Sequence, residues 1–138
     1  MAEKNVKATV DRLEEIAAFT EETLEAYGVP LKVQSQVAVA VDEIFTNIAS
    51  YAYPGGEGDA SLAIGMDEAK GILTLTFTDS GIPYNPLEKE DPDITLSAEE
   101  RHIGGLGIFM VKKLMDGMTY VRENGKNILT MEKRTTTC

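Results

Sequence analysis

At Pro54-Gly55-Gly56 the hydrophobic pattern changes period, and that switch limits the possible folds more than any other feature of the chain. Before it, Leu13, Ile16, Ala17, Thr20, Leu24 and Tyr27 recur at helical spacing, from a cap expected at Asp11 to a stop at Gly28 and Pro30. A second helix is expected from about Leu31 to Tyr53, where a proline and two glycines forbid continuation. After it, Leu62, Ile64 and Met66 alternate with Ser61, Ala63 and Gly65, and Leu73, Leu75 and Phe77 alternate with Thr74, Thr76 and Thr78. Period two over both runs predicts an antiparallel hairpin with one buried face. A short strand at Asn5 to Thr9 precedes the helices, and Thr119 to Glu123 should pair with Asn127 to Lys133 across Asn124-Gly125, a strong hairpin signal. With 138 residues, 43% of them hydrophobic, and no internal repeat, the chain is read as one domain spanning 1–138, with a core at about 5–134.

The second helix carries something its apolar pattern does not need. Val37, Val41, Ile44 and Ile48 form one face, and Glu43 and Asn47 sit together on its border, about 40° apart around the axis. Taken alone, the pair is what many surface helices carry, a solvated i,i+4 hydrogen bond. A carboxylate can also take a proton and an amide oxygen can ligate a hard cation, so the pair also suits a metal-assisted transfer.

Charge narrows the partners. Thirteen basic against 23 acidic residues give a net charge of -10, which repels nucleic acid and anionic membranes. A small nucleotide stays possible where metal ions and backbone N–H groups offset that background locally. The sole cysteine, Cys138, is the last residue, so there is neither a disulfide framework nor a cysteine metal cluster. With no apolar run near ~20 residues and no signal-like N-terminus, a cytoplasmic location is expected, without membrane association.

Two later segments give the helix pair its context. The strand ending at Thr78 runs into Asp79-Ser80-Gly81-Ile82-Pro83-Tyr84-Asn85-Pro86, so an acid stands where the chain must turn; a plain turn aspartate is the simple reading. Residues 82–103 hold three prolines and little periodic apolar content, a length of loop that is usually a functional lid or disordered. It ends in Arg101-His102-Ile103-Gly104-Gly105-Leu106-Gly107, and an amphipathic helix with Leu106, Phe109, Met110 and Leu114 follows. A glycine-rich turn opening a helix offers unpaired N–H groups to an anion, although glycine also makes ordinary caps. There is no G-x-x-x-x-G-K-[ST], and no G-x-G-x-x-G follows a strand in a βαβ unit, so P-loop and Rossmann sites are excluded.

The ordered series of Glu43-x-x-x-Asn47 on a helix, Asp79-x-Gly81 at a strand end, a long loop and Gly104-Gly105-Leu106-Gly107 opening a helix resembles the GHKL, or Bergerat-fold, ATP-binding superfamily. Within it, Val-Asp-Glu-Ile-Phe-Thr-Asn, Asp-Ser-Gly-Ile-Pro-Tyr-Asn-Pro-Leu and Ile-Gly-Gly-Leu-Gly-Ile are similar to the anti-sigma-factor serine/threonine protein kinases, over roughly residues 5–134. The resemblance implies an α/β (α+β) two-layer sandwich, a mixed and mostly antiparallel sheet covered on one face by helices. It implies ATP and Mg²⁺ as cofactors, with Asn47 on the metal, Asp79 accepting from the adenine amino group, Gly81 keeping the base pocket open, and Gly104, Gly105, Leu106 and Gly107 at the phosphates. Glu43 would be the general base, and Arg101 the lid cation facing phosphate, ahead of Lys112, which suits a solvated helix face. The implied partners are a STAS-domain anti-sigma antagonist as phosphoryl acceptor, a sigma factor to be sequestered, and a second copy of the chain.

Two positions depart from the family pattern: Tyr51 stands where a third polar residue often follows Asn47, and Pro83 replaces a glycine after Asp79-x-Gly81. The alternatives are a non-catalytic regulator gated by ATP, and a stand-alone histidine-kinase-like ATPase domain; low-level ATP hydrolysis, with water as acceptor, is a third and is compatible with any of these readings. The second is disfavoured because the one histidine, His102, lies in the loop and has no dimerising helical hairpin around it.

Overall fold

The computed structural model describes residues 1–88 and 105–135. Its strands are β1 (Ala2–Lys7), β2 (Asp59–Asp67), β3 (Ile72–Asp79), β4 (Gly117–Glu123) and β5 (Lys126–Arg134), and its helices are α1 (Leu13–Ala26), α2 (Leu31–Tyr51) and α3 (Gly105–Leu114). The strands form one five-stranded sheet in the order β1-β2-β3-β5-β4. All four pairings are antiparallel, so the antiparallel majority expected of the sheet extends to every described strand.

The period-two pattern sets which face is buried. Leu62 and Ile64 of β2, Leu73, Leu75 and Phe77 of β3, and Leu129 and Met131 of β5 point into the core, while Ser61, Ala63, Thr74, Thr76 and Thr78 between them remain half-buried on the other face. On the helical side, Ile16 and Leu24 of α1, Val37, Val41, Ile44 and Phe45 of α2, and Ile108 and Val111 of α3 meet that face. At about 1.5–3 kcal/mol for each such side chain fully buried, this single cluster is the main stabilising term. The helix α2 packs against both α1 and α3, and its 21 residues carry Glu43 and Asn47 along the sheet.

The turns are local consequences of residue type. At Asn124 (φ 52) and Gly125 (φ 75) both central residues of the β4–β5 hairpin are left-handed, the geometry that matches the strand twist. Two expectations need correction. The first strand is Ala2–Lys7 rather than Asn5–Thr9, because its limits come from pairing with β2, from Ala2 opposite Ile64 to Lys7 opposite Asp59. Asp11 does not cap α1; it lies inside a 3-10 turn, Val10–Arg12, capped by an extended Thr9, and Arg12 precedes α1 with no side-chain cap. The Thr9 hydroxyl beside it holds the Asp11 carboxyl below its usual range.

Candidate functional site

The site forms where α2 lies across the C-terminal end of β3. Asp79 is the last residue of β3 and is only 6% exposed, and Asn47 approaches from α2. Both line one pocket with Ile44, Ile48, Phe77 and Leu129. With its mouth included the slot encloses about 430 Å³, and Tyr84, Tyr120 and Asn127 add polar groups to its apolar walls. Few precisely placed polar groups in an apolar cleft are the usual make-up of a small-molecule site.

The buried carboxylate of Asp79 is held on one side. Its Oδ1 accepts from the Gly81 N–H at 2.9 Å and from Asn127 Nδ2 at 2.9 Å. Gly81 is required here on steric grounds, because a Cβ on it would collide with the carbonyl oxygen of Ala52, just past the end of α2, whose oxygen also accepts from the Ile82 N–H at 2.9 Å. The rest of the turn is hydrogen-bonded as well: the Ser80 N–H donates to Tyr53 Oη at 2.8 Å and the Tyr84 N–H to Asn127 Oδ1 at 3.2 Å. Between them stands Pro83, which has no N–H to place. The Tyr53 hydroxyl, which also donates to the Asp59 carbonyl, is pushed above its usual pKa mainly by burial. Arg122 of β4 donates to the Gly81 carbonyl at 2.8 Å.

The Asn47 amide has one end in the protein: its Nδ2 is buried and has no hydrogen-bond partner among the described residues. Whichever way round the amide lies, one end of it is buried with nothing to bond. Such a group costs about 1–3 kcal/mol and calls for a reason. Among the described residues no group of three or more His, Cys, Asp or Glu side chains could hold a metal alone. The oxygen of that amide, beside the slot, is the kind of hard neutral ligand that suits Mg²⁺ carried on a triphosphate.

One turn earlier on α2, Glu43 faces the start of α3, where a Cβ on Gly107 would collide with its Oε2. Gly105, Leu106 and Gly107 open α3, whose first N–H groups have no partner within the helix. The acid of α2 and the candidate anion-binding turn are thus adjacent. Tyr51 is 46% exposed, and its ring lies 6.3 Å from that of Tyr84 at a 34° tilt, so the position expected to be polar contributes to an aromatic pair at the mouth of the slot. Arg101, Gly104, His102 and the expected lid from residue 89 onward lie outside the described residues.

Asn127 is the residue that the sequence reading missed. It is 6% exposed and directly opposite Asp79 in the β3–β5 register. Reading it only as the first residue of the strand after the Asn124-Gly125 turn concealed its position. The available signal was its parity, since Asn127, Leu129 and Met131 share the inward face of β5 and an amide at such a position has to be bonded.

An antiparallel sheet under a long helix carrying an acid and an amide, beside a glycine-opened helix, defines a domain of the histidine-kinase-like ATPase class. The chain belongs to that family: the profile of the histidine kinase-like ATPase domain matches residues 6–133. It is similar to serine/threonine-protein kinase BtrW of Bordetella bronchiseptica, 26% identical over 95 residues that cover 69% of this chain and 66% of that protein. It is also similar to serine-protein kinase RsbW of Bacillus cereus, 28% identical over 66% of this chain and 58% of that one. The chain thus spans about three-fifths of the length of the curated relatives it matches. Among solved structures, it superposes on the RsbU and RsbW domains of a Mycobacterium tuberculosis protein with a TM-score of 0.63 at 14% identity, over 97% of this chain and 32% of that one. The histidine kinase domain of the Erythrobacter litoralis EL346 blue-light activated histidine kinase superposes with a TM-score of 0.59 at 17% identity, over 87% of this chain and 61% of that one. At these identities the two structures establish the fold alone.

Proposed function

We propose that the chain is a protein serine/threonine kinase that binds ATP with Mg²⁺ in the slot between α2 and β3 and phosphorylates a STAS-type anti-sigma antagonist, with a sigma factor as its second partner. The observation that carries this reading is the meeting of three elements at one place: Asn47 and Asp79 line one slot, and one turn from Asn47 the Glu43 carboxylate abuts Gly107 at the glycine-rich opening of α3. The names of the BtrW and RsbW relatives supply the reaction class.

Each side chain then has a task. Asp79 accepts a hydrogen bond from the adenine amino group, and the apolar walls around Ile44, Ile48 and Phe77 take the ring. Asn47 offers its amide oxygen to the metal, and the opening turn of α3 offers N–H groups to phosphate oxygens, with Arg101 as a further cation. When bound, Mg²⁺ and the triphosphate supply an activated phosphorus whose charge is partly neutralised. Glu43 orients the acceptor serine or threonine hydroxyl and takes its proton on a carboxylate oxygen as the new oxygen–phosphorus bond forms and the bond from the γ-phosphorus to the bridging oxygen breaks, releasing ADP.

The test is label transfer from radiolabelled ATP to a STAS-domain protein of the same genome, paired with calorimetric ATP binding. Glu43→Gln should reduce transfer by at least ~100-fold, the usual contribution of a general base, while nucleotide affinity changes little. A wild-type chain that binds ATP yet labels no such partner would make it a regulator gated by ATP. A chain that binds no nucleotide would end the reading altogether.

A further inference from the structure

The helical layer holds a second cavity, which the nucleotide slot does not use. α1 turns back into α2 through residues 27–30, and the two helices pack side by side. The groove between them opens to solvent and, with its mouth included, encloses about 730 Å³. Ala17 and Leu24 of α1 and Ala38 and Val41 of α2 line it, with Glu21 on one helix and Asp42 on the other. We infer that this groove is the docking site for an amphipathic helix of a partner protein, one whose apolar stripe is flanked by lysine or arginine.

The lining offers an occupant apolar contact. Thr20 Oγ1 donates to the Ile16 carbonyl at 2.8 Å and Ser35 Oγ to the Leu31 carbonyl at 3.1 Å, so both hydroxyls bond back into their own helices. Gln34 Nε2 donates to Glu25 Oε2 at 3.0 Å and to the Val29 carbonyl at 2.9 Å, which ties the helices together at one end. Leu31, at that end, is 75% exposed, an apolar side chain uncovered at the mouth. From Leu31 to Asp42 the groove follows α2 for about three turns, roughly 16 Å, the reach of a short recognition helix.

Charge selects among the occupants. Along α1 there are glutamates at 14, 15, 21, 22 and 25 and no basic residue. Glu15 is held by Lys4 and Arg12, whereas neither Glu21 nor Asp42 has an ion pair or hydrogen bond to a described residue. Burial pushes the Asp42 carboxyl above its usual range, and a cationic side chain laid beside it would offset that cost. A second copy of the chain would bring the same carboxylates against these, and nucleic acid or an anionic membrane meets the same repulsion. None of the groove residues lines the nucleotide slot, so the groove can be filled whether or not the slot is, and the inference does not rest on the nucleotide reading.

The experiment titrates the full chain with three synthetic peptides of about 18 residues, enough to span the groove as a helix. One has a leucine stripe at helical spacing flanked by lysines, the second has glutamates in place of the lysines, and the third is a scramble of the first that keeps its charge and loses its stripe. Fluorescence anisotropy gives the affinities and amide chemical shifts give the place. The lysine-flanked helix should bind at least about tenfold more tightly than either of the others, more weakly as salt rises, and should shift Ala17, Ser35 and Ala38 but not Asn47 or Asp79. Ala38→Trp fills the groove from an exposed position and should weaken binding by about tenfold or more. Glu21→Gln with Asp42→Asn should weaken it by roughly three- to tenfold and remove most of the salt dependence. Glu14→Gln with Glu22→Gln removes the same charge outside the groove and should leave affinity within about twofold. The inference is overturned by equal losses in the two double variants, by a scramble that binds as well as the helix, by shifts that map elsewhere, or by no binding at all. A dimer of wild type that Ala38→Trp dissociates would make the occupant a second copy and overturn it too.

Discussion

Gly107 occupies a place where a single methyl group separates stability from chemistry. Replacing a helical glycine by alanine ordinarily stabilises by about 1 kcal/mol. Here the added Cβ would collide with Glu43 Oε2, the far end of a flexible side chain that can swing away at little cost. Gly107→Ala is therefore expected to melt at or slightly above the wild-type temperature while losing most phosphoryl transfer, because the displaced carboxylate no longer reaches the acceptor hydroxyl. Thermal unfolding and label transfer measured on the same preparation check this; a rise in Tm with transfer intact would mean that the Glu43–Gly107 contact has no part in the reaction. The same contrast explains what could be read at this scale. Glu43 and Asn47 stood out as polar residues within an apolar helical pattern, and Asp79 as an acid at a strand end where the chain must turn. Asn127 did not, because its meaning depends on the residue across the strand, and register is a property of the sheet rather than of the local sequence.

At the scale of elements, the joint between α2 and β3 has no such slack. A Cβ on Gly81 would strike the backbone carbonyl of Ala52, which already accepts from the Ile82 N–H and cannot yield without moving the end of the helix. Gly81→Ala should cost about 1–3 kcal/mol, as overpacking does, and weaken ATP binding together with stability because the Asp79 turn shifts with it. Chemical denaturation and nucleotide titration check the pair of effects; a variant with wild-type stability would show that the joint relaxes freely. The two hairpins and α2 were legible because their signals are short-range: alternation, an Asn-Gly turn, and an apolar stripe ended by Pro54. The limits of β1 and the entry to α1 were not. An edge strand ends where its neighbour stops pairing with it, and Asp11 had the composition of a cap while the backbone placed it within a 3-10 turn.

For the whole molecule, the question is how a chain of net charge -10 would hold the triphosphate proposed for it. Among the described residues no group of three or more acids, histidines or cysteines could hold a metal by itself, and no helix is long and apolar enough to cross a membrane. Coulomb repulsion from that surface acts against free ATP and is reduced when Mg²⁺ neutralises part of the phosphate charge. On the function proposed above, Asn47 would offer the metal a neutral ligand, which adds no negative charge of its own. Binding to the folded state alone stabilises it by about 2.7 kcal/mol at a ligand concentration of 100 Kd. For a chain of this size that corresponds to a rise in Tm of roughly 8–13 °C. Mg²⁺ alone should leave Tm unchanged, ATP with a chelator should raise it by only a small part of that amount, and the two together should give the full rise. Asn47→Ala should bring the response to Mg²⁺ plus ATP down to that seen with chelator. If ATP stabilises the chain equally with and without Mg²⁺, Asn47 is not a metal ligand, and the buried end of its amide needs another partner.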